Sequence, residues 1–175
     1  MESPFTIATR RLQLFAPSSA EIAELRSGER TGLGSRIGAT ISEEWWLGPT
    51  LVRLLLGLPE KMAQEPGDAR WVWLVIEPIT ANVVGDIGFH GPMRDDATVE
   101  IGYSIIPRAQ RFGYATEAAS ALIHWTFAHT RVAQIIAQIN PGNAPSLRVA
   151  AKLGMQQLPP ISTEYLCFGI TRPPT

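Results

Sequence analysis

PRAQRFGYATEA, residues 107–118, is the stretch whose reading decides the fold. TVEIGYSII (98–106) precedes it and reads as a strand, which Pro107 ends. The longest helical pattern in the chain, residues 113–130, follows it, with Ala115, Ala118, Ala119, Leu122 and Ile123 on one face. A strand therefore passes through a compact turn containing Gly113 straight into a long helix. The first N–H groups of such a helix have no intrahelical acceptor, and they converge at the positive end of the helix dipole. That arrangement holds phosphate well. Gly113 lets the backbone approach an anion closely, Ala115 is small for the same reason, and Arg108 and Arg111 add charge. A well-capped turn that binds nothing would look similar, so the rest of the chain has to decide between the two.

Upstream, Leu12, Leu14 and Ala16 alternate as in a strand that Pro17 stops, and Ser18 or Ser19 caps a short helix running through Leu25. The glycine-rich segment 27–40 reads as a loop. Its GLGSRIG has the third glycine misplaced for a dinucleotide fingerprint and follows a helix rather than a strand. A helical pattern starts at Ser42, with Trp45, Trp46, Leu51, Leu54, Leu55 and Leu58 apolar, and Pro49 and Gly57 divide it. WVWLVIE (71–77) and VVGDIGFH (83–90) read as strands joined near Thr80–Asn82. HGPMRDDA is a turn, with Asp95 and Asp96 as turn residues. Downstream of the long helix come a strand (132–139), a helix from Asn143 to Leu153 with Gly154 in the left-handed cap position, and two short strands. Hairpin-joined strands followed by a βαβ crossover predict a mixed α/β sheet.

The 175 residues are read as one domain, 1–175; with 45% hydrophobic and 18% charged residues they can build a core. A formal net charge of -1 gives no broad attraction to nucleic acid or to an anionic membrane, and neither is expected as a partner. One cysteine, Cys167, excludes an internal disulfide and suits a reducing, cytoplasmic setting; within YLCFGI it reads as a packed thiol. No metal-binding Cys/His cluster occurs, and His124 and His129 on the long helix have no partner that suggests one. No signal peptide or membrane span is seen.

At this point the residues match a family. Gln110 to Ala115 (QRFGYA) resembles the Q/R-x-x-G-x-G/A pyrophosphate loop of GNAT acetyltransferases. Thr116-Glu117-Ala118, NAPSLRVAAKLGM (143–155), the opening TRRLQLFAP and VVGDIGFH resemble further parts of that family. The resemblance covers nearly the whole chain and is weakest between residues 28 and 68. It implies an α/β fold with a mixed, mostly antiparallel central sheet and helices on both faces. It also implies a V-shaped splay between the fourth and fifth strands, here 98–106 and 132–139. Acetyl-coenzyme A is the implied cosubstrate, with no metal. Its pantetheine arm would lie in the splay against the backbone of Ser104 and Ile105. Its pyrophosphate would sit on the amides of Arg111, Phe112, Gly113, Tyr114, Ala115 and Thr116. Asn143 would contact pantetheine and Ser146 would lie near the sulfur. A homodimer is a further expectation by analogy.

Amide formation from a thioester needs a neutral amine. A free α-amine, with a pKa of about 8, and a lysine, at about 10.4, are mostly protonated at neutral pH, so a base is required. Glu100 is the first candidate: alternation puts it on one face with Gly102 and Ser104. A strand glutamate paired with an arginine is the competing reading. His90 is the second candidate. The tyrosine that many relatives carry seven residues after the asparagine is replaced here by Ala150, so Ser146 is the candidate proton donor to the departing thiolate. A helix-start serine bonding its own backbone is the ordinary alternative. The Ile105 amide can polarise the thioester carbonyl. Trp45 or Trp46 are candidate acceptor-pocket walls, whereas Trp71 and Trp73 read as core. The implied activity is acetylation of a primary amine. The acceptor is a protein N-terminal α-amine, as in the ribosomal-protein-alanine branch that Ser146 and TRRLQL resemble, or a small molecule such as an amino acid, polyamine or antibiotic. A non-catalytic acyl-CoA-binding domain is the reading from another class.

Overall fold

The computed structural model describes residues 5–46, 72–90, 94 and 96–174. In chain order the elements are β1 (Phe5–Ala8), β2 (Gln13–Ala16), α1 (Ser19–Ser27), α2 (Thr31–Ile37) and α3 (Glu43–Trp46). Then follow β3 (Val72–Glu77), β4 (Asn82–His90), β5 (Thr98–Ile105), a 3-10 turn (Pro107–Ala109) and α4 (Tyr114–His129). The chain ends with β6 (Gln134–Ile139), α5 (Ala144–Lys152), β7 (Gln156–Leu158) and β8 (Leu166–Thr171). The strands form one sheet in the order β1-β2-β3-β4-β5-β6-β8-β7. Every neighbouring pair is antiparallel except β5–β6, which is parallel because α4 carries the chain across.

Two tryptophans show that the sheet is covered on both faces. Trp73 of β3 packs edge-on against Trp125 of α4, ring centroids 5.2 Å apart. The next residue, Leu74, pairs in register with Asp86, and Asp86 accepts a hydrogen bond from the Trp45 indole of α3 at 3.0 Å. Neighbouring strand residues point to opposite faces, so α4 covers one side and α3 the other. Leu12, Leu14, Leu74, Val75 and Ile87 are buried, as a sheet sandwiched between helices requires. On α4 the buried stripe is Tyr114, Ala118, Ala119, Leu122, Ile123 and Thr126. Ala115 is only half-buried. The small Ala118 and Ala119 let the helix lie close to the sheet, and a fully buried leucine such as Leu122 contributes about 2 kcal/mol.

The segment 27–40, expected as a loop, is not one: α2 lies within it. Glycines argue against a helix by intrinsic propensity, but packing prevails here. Leu33 is fully buried, and a side chain at Gly34 would meet the Ala39 carbonyl oxygen at 2.8 Å, so this glycine is a close-packing residue. The Glu29 carboxylate accepts from the N–H groups of Thr31 and Gly32, supplying the cap that Arg30 does not. The predicted first helix is present, with Ser18 and Glu21 forming a reciprocal capping box. Strand β1, which pairs with β2, had no separate signature in the sequence. Leu51, Leu54, Leu55, Leu58, Pro49, Gly57, Trp71, Asp95 and the side chain of Trp46 lie outside the described residues.

The splay is set by register. β5 and β6 pair at Thr98–Gln134, Val99–Ile135 and Glu100–Ile136, and then part, although β5 continues to Ile105 and β6 to Ile139. The Ile106 N–H bonds to Val84 of β4, whereas the Ala97 carbonyl accepts from Ala133 and Gln134 on the β6 side. By alternation, Ile101, Tyr103 and Ile105 turn their backbone N–H and C=O groups towards the gap, and Ser104 turns its own towards β4.

Candidate active site

The loop that opens α4 has the backbone shape of an anion cradle. The 3-10 turn closes on Gln110, whose amide side chain reaches back to donate to the Ile105 carbonyl at 2.8 Å. Arg111 and Gly113 then both adopt left-handed backbone angles, φ 69° and 85°. Alternating handedness of this kind turns successive N–H groups to one side. The first helical bond runs from Glu117 N to Gly113 O, so the N–H groups of Tyr114, Ala115 and Thr116 precede it, and no side chain caps them. Arg111 and Phe112 are exposed at the rim, and Phe112 lies 5.8 Å from the Tyr114 ring.

An acidic residue in this first turn would repel an anion unless neutralised. Glu117 is neutralised by Arg11, from the β1–β2 turn, through Nε at 2.8 Å, Nη2 at 2.7 Å and the backbone N–H at 2.9 Å, with Thr9 Oγ1 adding a fourth bond at 2.7 Å. Burial pushes the Glu117 carboxyl up, but these bonds outweigh it and hold the group below the usual range. The Arg11 guanidinium stacks 4.8 Å over the Tyr114 ring, and Tyr114 in turn donates a short bond to Glu77. The cradle is thereby tied to β1, β2 and β3. Arg108 pairs with Glu44 of α3 at 3.1 Å.

The polar centre lies on the α3 face of the sheet. Register places Asp86 beside Ser104, Gly88 beside Gly102 and His90 beside Glu100. The Gln138 amide donates to Glu100 Oε2 at 2.8 Å, and His90 Nδ1 lies 3.6 Å from Glu100 Oε1. Burial raises the Glu100 pKa, and the His90 and Gln138 contacts more than offset it, so the carboxyl sits below its ordinary value and is ionised at neutral pH. His90 leans over Gly102: a side chain there would come within 2.3 Å of His90 Nε2. Asp86 is 1% exposed, and burial pushes its pKa up to about 7 against the hydrogen bond from Trp45 and the charge of His90.

Ser146 and Asn143 lie elsewhere. Asn143 caps α5, its Oδ1 accepting from the Ser146 N–H at 3.2 Å, and its side chain is exposed. The Tyr103 hydroxyl, on the face away from Glu100, reaches the Ser146 carbonyl at 3.5 Å. Burial keeps that phenol protonated by raising its pKa. The structure thus gathers Glu100 and Ser104 on one face with His90, and sets Ser146 and Asn143 on the other, with the strand gap between them. Asp86, Gln138, Tyr103 and Arg11 were not singled out in the sequence. Alternation groups Asp86 with His90, but only cross-strand register joins them to Glu100. His124 and His129 bond carbonyls of their own helix, at 2.6 and 2.8 Å. Cys167 is buried. Among the described residues no group of three or more His, Cys, Asp or Glu could hold a metal, and no helix is long and apolar enough to cross a membrane.

Comparison with known proteins agrees with this geometry. "Uncharacterized N-acetyltransferase YjdG" of Bacillus subtilis is 32% identical over 82 residues, 47% of this chain and 49% of that protein. The chain spans about half the length of the curated relatives it matches. An acetyltransferase from Agrobacterium tumefaciens superposes with a TM-score of 0.64 at 22% identity, covering 97% of this chain and 96% of that one. RimL, a ribosomal L7/L12 alpha-N-protein acetyltransferase solved with coenzyme A, superposes at 0.63 with 12% identity over 95% of this chain and 98% of that one. These two likenesses show the shared fold. The model of the acetyltransferase (GNAT) domain matches residues 36–156, well over half of the chain, and the chain belongs to the GNAT acetyltransferase domain family.

Proposed function

We propose that the chain transfers the acetyl group of acetyl-coenzyme A to a primary amine. The observation that carries this reading is the parting of β5 and β6 beside the anion cradle. One slot offers phosphate-binding amides at its mouth and unpaired strand backbone along its wall. A pantetheine arm carries amides that match such a wall, and its pyrophosphate matches the cradle. The Ile105 N–H faces the gap and is the donor that would polarise the thioester carbonyl. Ser104 would contribute through its side chain, since its backbone faces β4. Asn143 and Ser146, at the start of α5, flank the same slot from the other face. The solved RimL holds coenzyme A on the same fold.

In this reading the amine loses a proton to the His90–Glu100 pair. His90 Nε2 receives it, and the Glu100 carboxylate, fixed by Gln138, balances the imidazolium. The freed lone pair forms the N–C bond at the acetyl carbon. As the C–S bond breaks the sulfur leaves as thiolate, and the second proton that the acylated nitrogen sheds reaches it through the Ser146 hydroxyl or water, so the serine ends neutral. A protein N-terminal α-amine is the favoured acceptor class: Ser146 takes the donor's place while Ala150 stands where many relatives have tyrosine, and RimL is named for such a substrate.

Thiol release from acetyl-coenzyme A tests this. The amine panel comprises peptides with free Ala, Ser or Thr N-termini, N-blocked lysine peptides, polyamines, amino acids and aminoglycosides. Release with one class names the acceptor. Acetyl-coenzyme A binding with silence across the panel would favour a non-catalytic acyl-CoA-binding domain, and no binding would remove the reading altogether.

A further inference from the structure

Two buried polar atoms near the centre of the sheet lack a protein partner among the described residues: Asp86 Oδ1 and His90 Nε2. Buried polar atoms almost always have a partner, so two on one strand face call for an explanation. Asp86, Gly88 and His90 point to the same side of β4, and Gly88 pairs with Gly102. The floor between Asp86 and His90 is thus a pair of glycines with no side chain. His90 does not turn outward from this floor; its ring lies across Gly102, Nε2 foremost. The other oxygen of Asp86, Oδ2, is fixed by the Trp45 indole, which leaves Oδ1 as the unpartnered acceptor. The His90 side chain is 37% exposed and stands at the outer end of this face, beside Glu100.

The chemistry of the lining selects its occupant. A carboxylate oxygen only accepts hydrogen bonds, and a neutral imidazole nitrogen can accept one. A group with several N–H donors and a positive charge satisfies both; a hydroxyl can satisfy one at a time and brings no charge. The glycine floor admits a compact head and no branched one. We propose that Asp86 is a specificity-determining residue that receives the acceptor as its primary ammonium group, seated over Gly88 between Asp86 Oδ1 and His90 Nε2. This deepens the acetyltransferase reading and rests on it: the nitrogen that Asp86 holds is the one that His90 deprotonates. Trp45 positions Asp86 and does not touch the amine.

The Trp45 indole N–H is a built-in reporter, because it donates to the same carboxyl. The experiment uses the full chain labelled with 15N-tryptophan at pH 8, with coenzyme A present. The five indole signals are recorded during titration with ethylamine hydrochloride, and separately with ethanol as an uncharged group of the same size. Trp45→Phe identifies the reporter signal. The expected result is a saturable shift of the Trp45 signal with ethylamine, half-complete on the order of 10 mM for so small a ligand, and none with ethanol. Asp86→Asn is expected to weaken the response at least about tenfold, as loss of a charge-assisted bond requires. Gly102→Ala, whose methyl would displace the His90 ring without touching Asp86, is expected to do the same. An unmoved Trp45 signal in the wild type, an equal response to ethanol, or an unchanged response in both variants overturns the proposal. The signal requires no acetyl transfer. Failure of the amine panel therefore leaves it readable, and failure here leaves the thiol-release result intact.

Discussion

Replacing Asp86 by Asn should remove the acid-favouring pH dependence that this residue gives to stability. Asn has nearly the same shape, and its carbonyl can still accept from Trp45. Burial raises the Asp86 pKa from 3.8 to about 7, so between those values the native state binds a proton that the unfolded chain has released. The stability contributed by this group is fully present below the unfolded pKa and is lost as pH rises through the folded one. The size follows from the shift: at roughly 1.4 kcal/mol per pKa unit, the loss is about 4 kcal/mol by pH 8. Asn has no such proton. The stability of Asp86→Asn relative to wild type should therefore rise by about 4 kcal/mol between pH 4 and pH 8. Glu77, Glu100 and Glu117, all held below their ordinary range, tilt stability the other way, but they are present in both proteins and largely cancel in the difference. Urea unfolding followed by tryptophan fluorescence at several pH values reads the effect, as a relative midpoint change of about 2 M for an m-value near 2 kcal/mol/M. Parallel curves for the two proteins across that range would refute the reasoning, for they would mean that Asp86 ionises in the fold as easily as in the unfolded chain.

Glu100→Gln should reduce turnover about 100-fold or more, because the imidazolium formed at His90 loses its counter-charge, while coenzyme A affinity measured by calorimetry stays within about twofold; unchanged turnover removes Glu100 from the proton path. Gly113→Glu should abolish coenzyme A binding by calorimetry, since it places a like charge in the cradle and forces a side chain onto a φ of 85°; retained binding refutes the assignment of the loop. Glu117→Ala should cost about 2–3 kcal/mol at pH 7 in urea unfolding, because it strands the Arg11 guanidinium together with the Arg11 backbone N–H and the Thr9 hydroxyl. The lowered Glu117 pKa means that this stabilisation is present above the unfolded value of 4.5 and fades as pH falls below it, so the cost should shrink in acid; a cost that does not change with pH contradicts the pairing.

The parts of this fold legible in the sequence are those set by local rules. Alternation in 98–106 placed Glu100, Gly102 and Ser104 on one face, and the register confirms that grouping. Pro107, Gly113 and the apolar stripe of 113–130 marked the strand end, the turn and the helix. Ser18 and Gly154 marked helix ends by their capping chemistry, and both cap as expected. Contacts between distant residues were not legible. Arg11 and Glu117 stand 106 positions apart, Trp45 and Asp86 41, and Glu100 and Gln138 38. No periodicity within a segment encodes such pairs, since they depend on which strand lies beside which and in what register. The glycine-rich α2 failed for a related reason. Leu33 and Gly34 are helical because of what covers them, and propensity alone assigns those glycines to a loop.

The early parting of β5 and β6 carries a liability as well as a site. Beyond Glu100 and Ile136 the sheet has two inner margins whose ladder is unfinished. The Ile105 carbonyl obtains a substitute donor from Gln110, which shields one point of one margin. An unfinished margin recruits any extended chain, including a segment of another copy unfolding nearby, and is a starting point for aggregation. An extended amide-bearing arm lying in the gap occupies those groups as a missing strand would. The cosubstrate would then guard the folded state, and a preparation stripped of it should cloud on warming before one that is saturated with it.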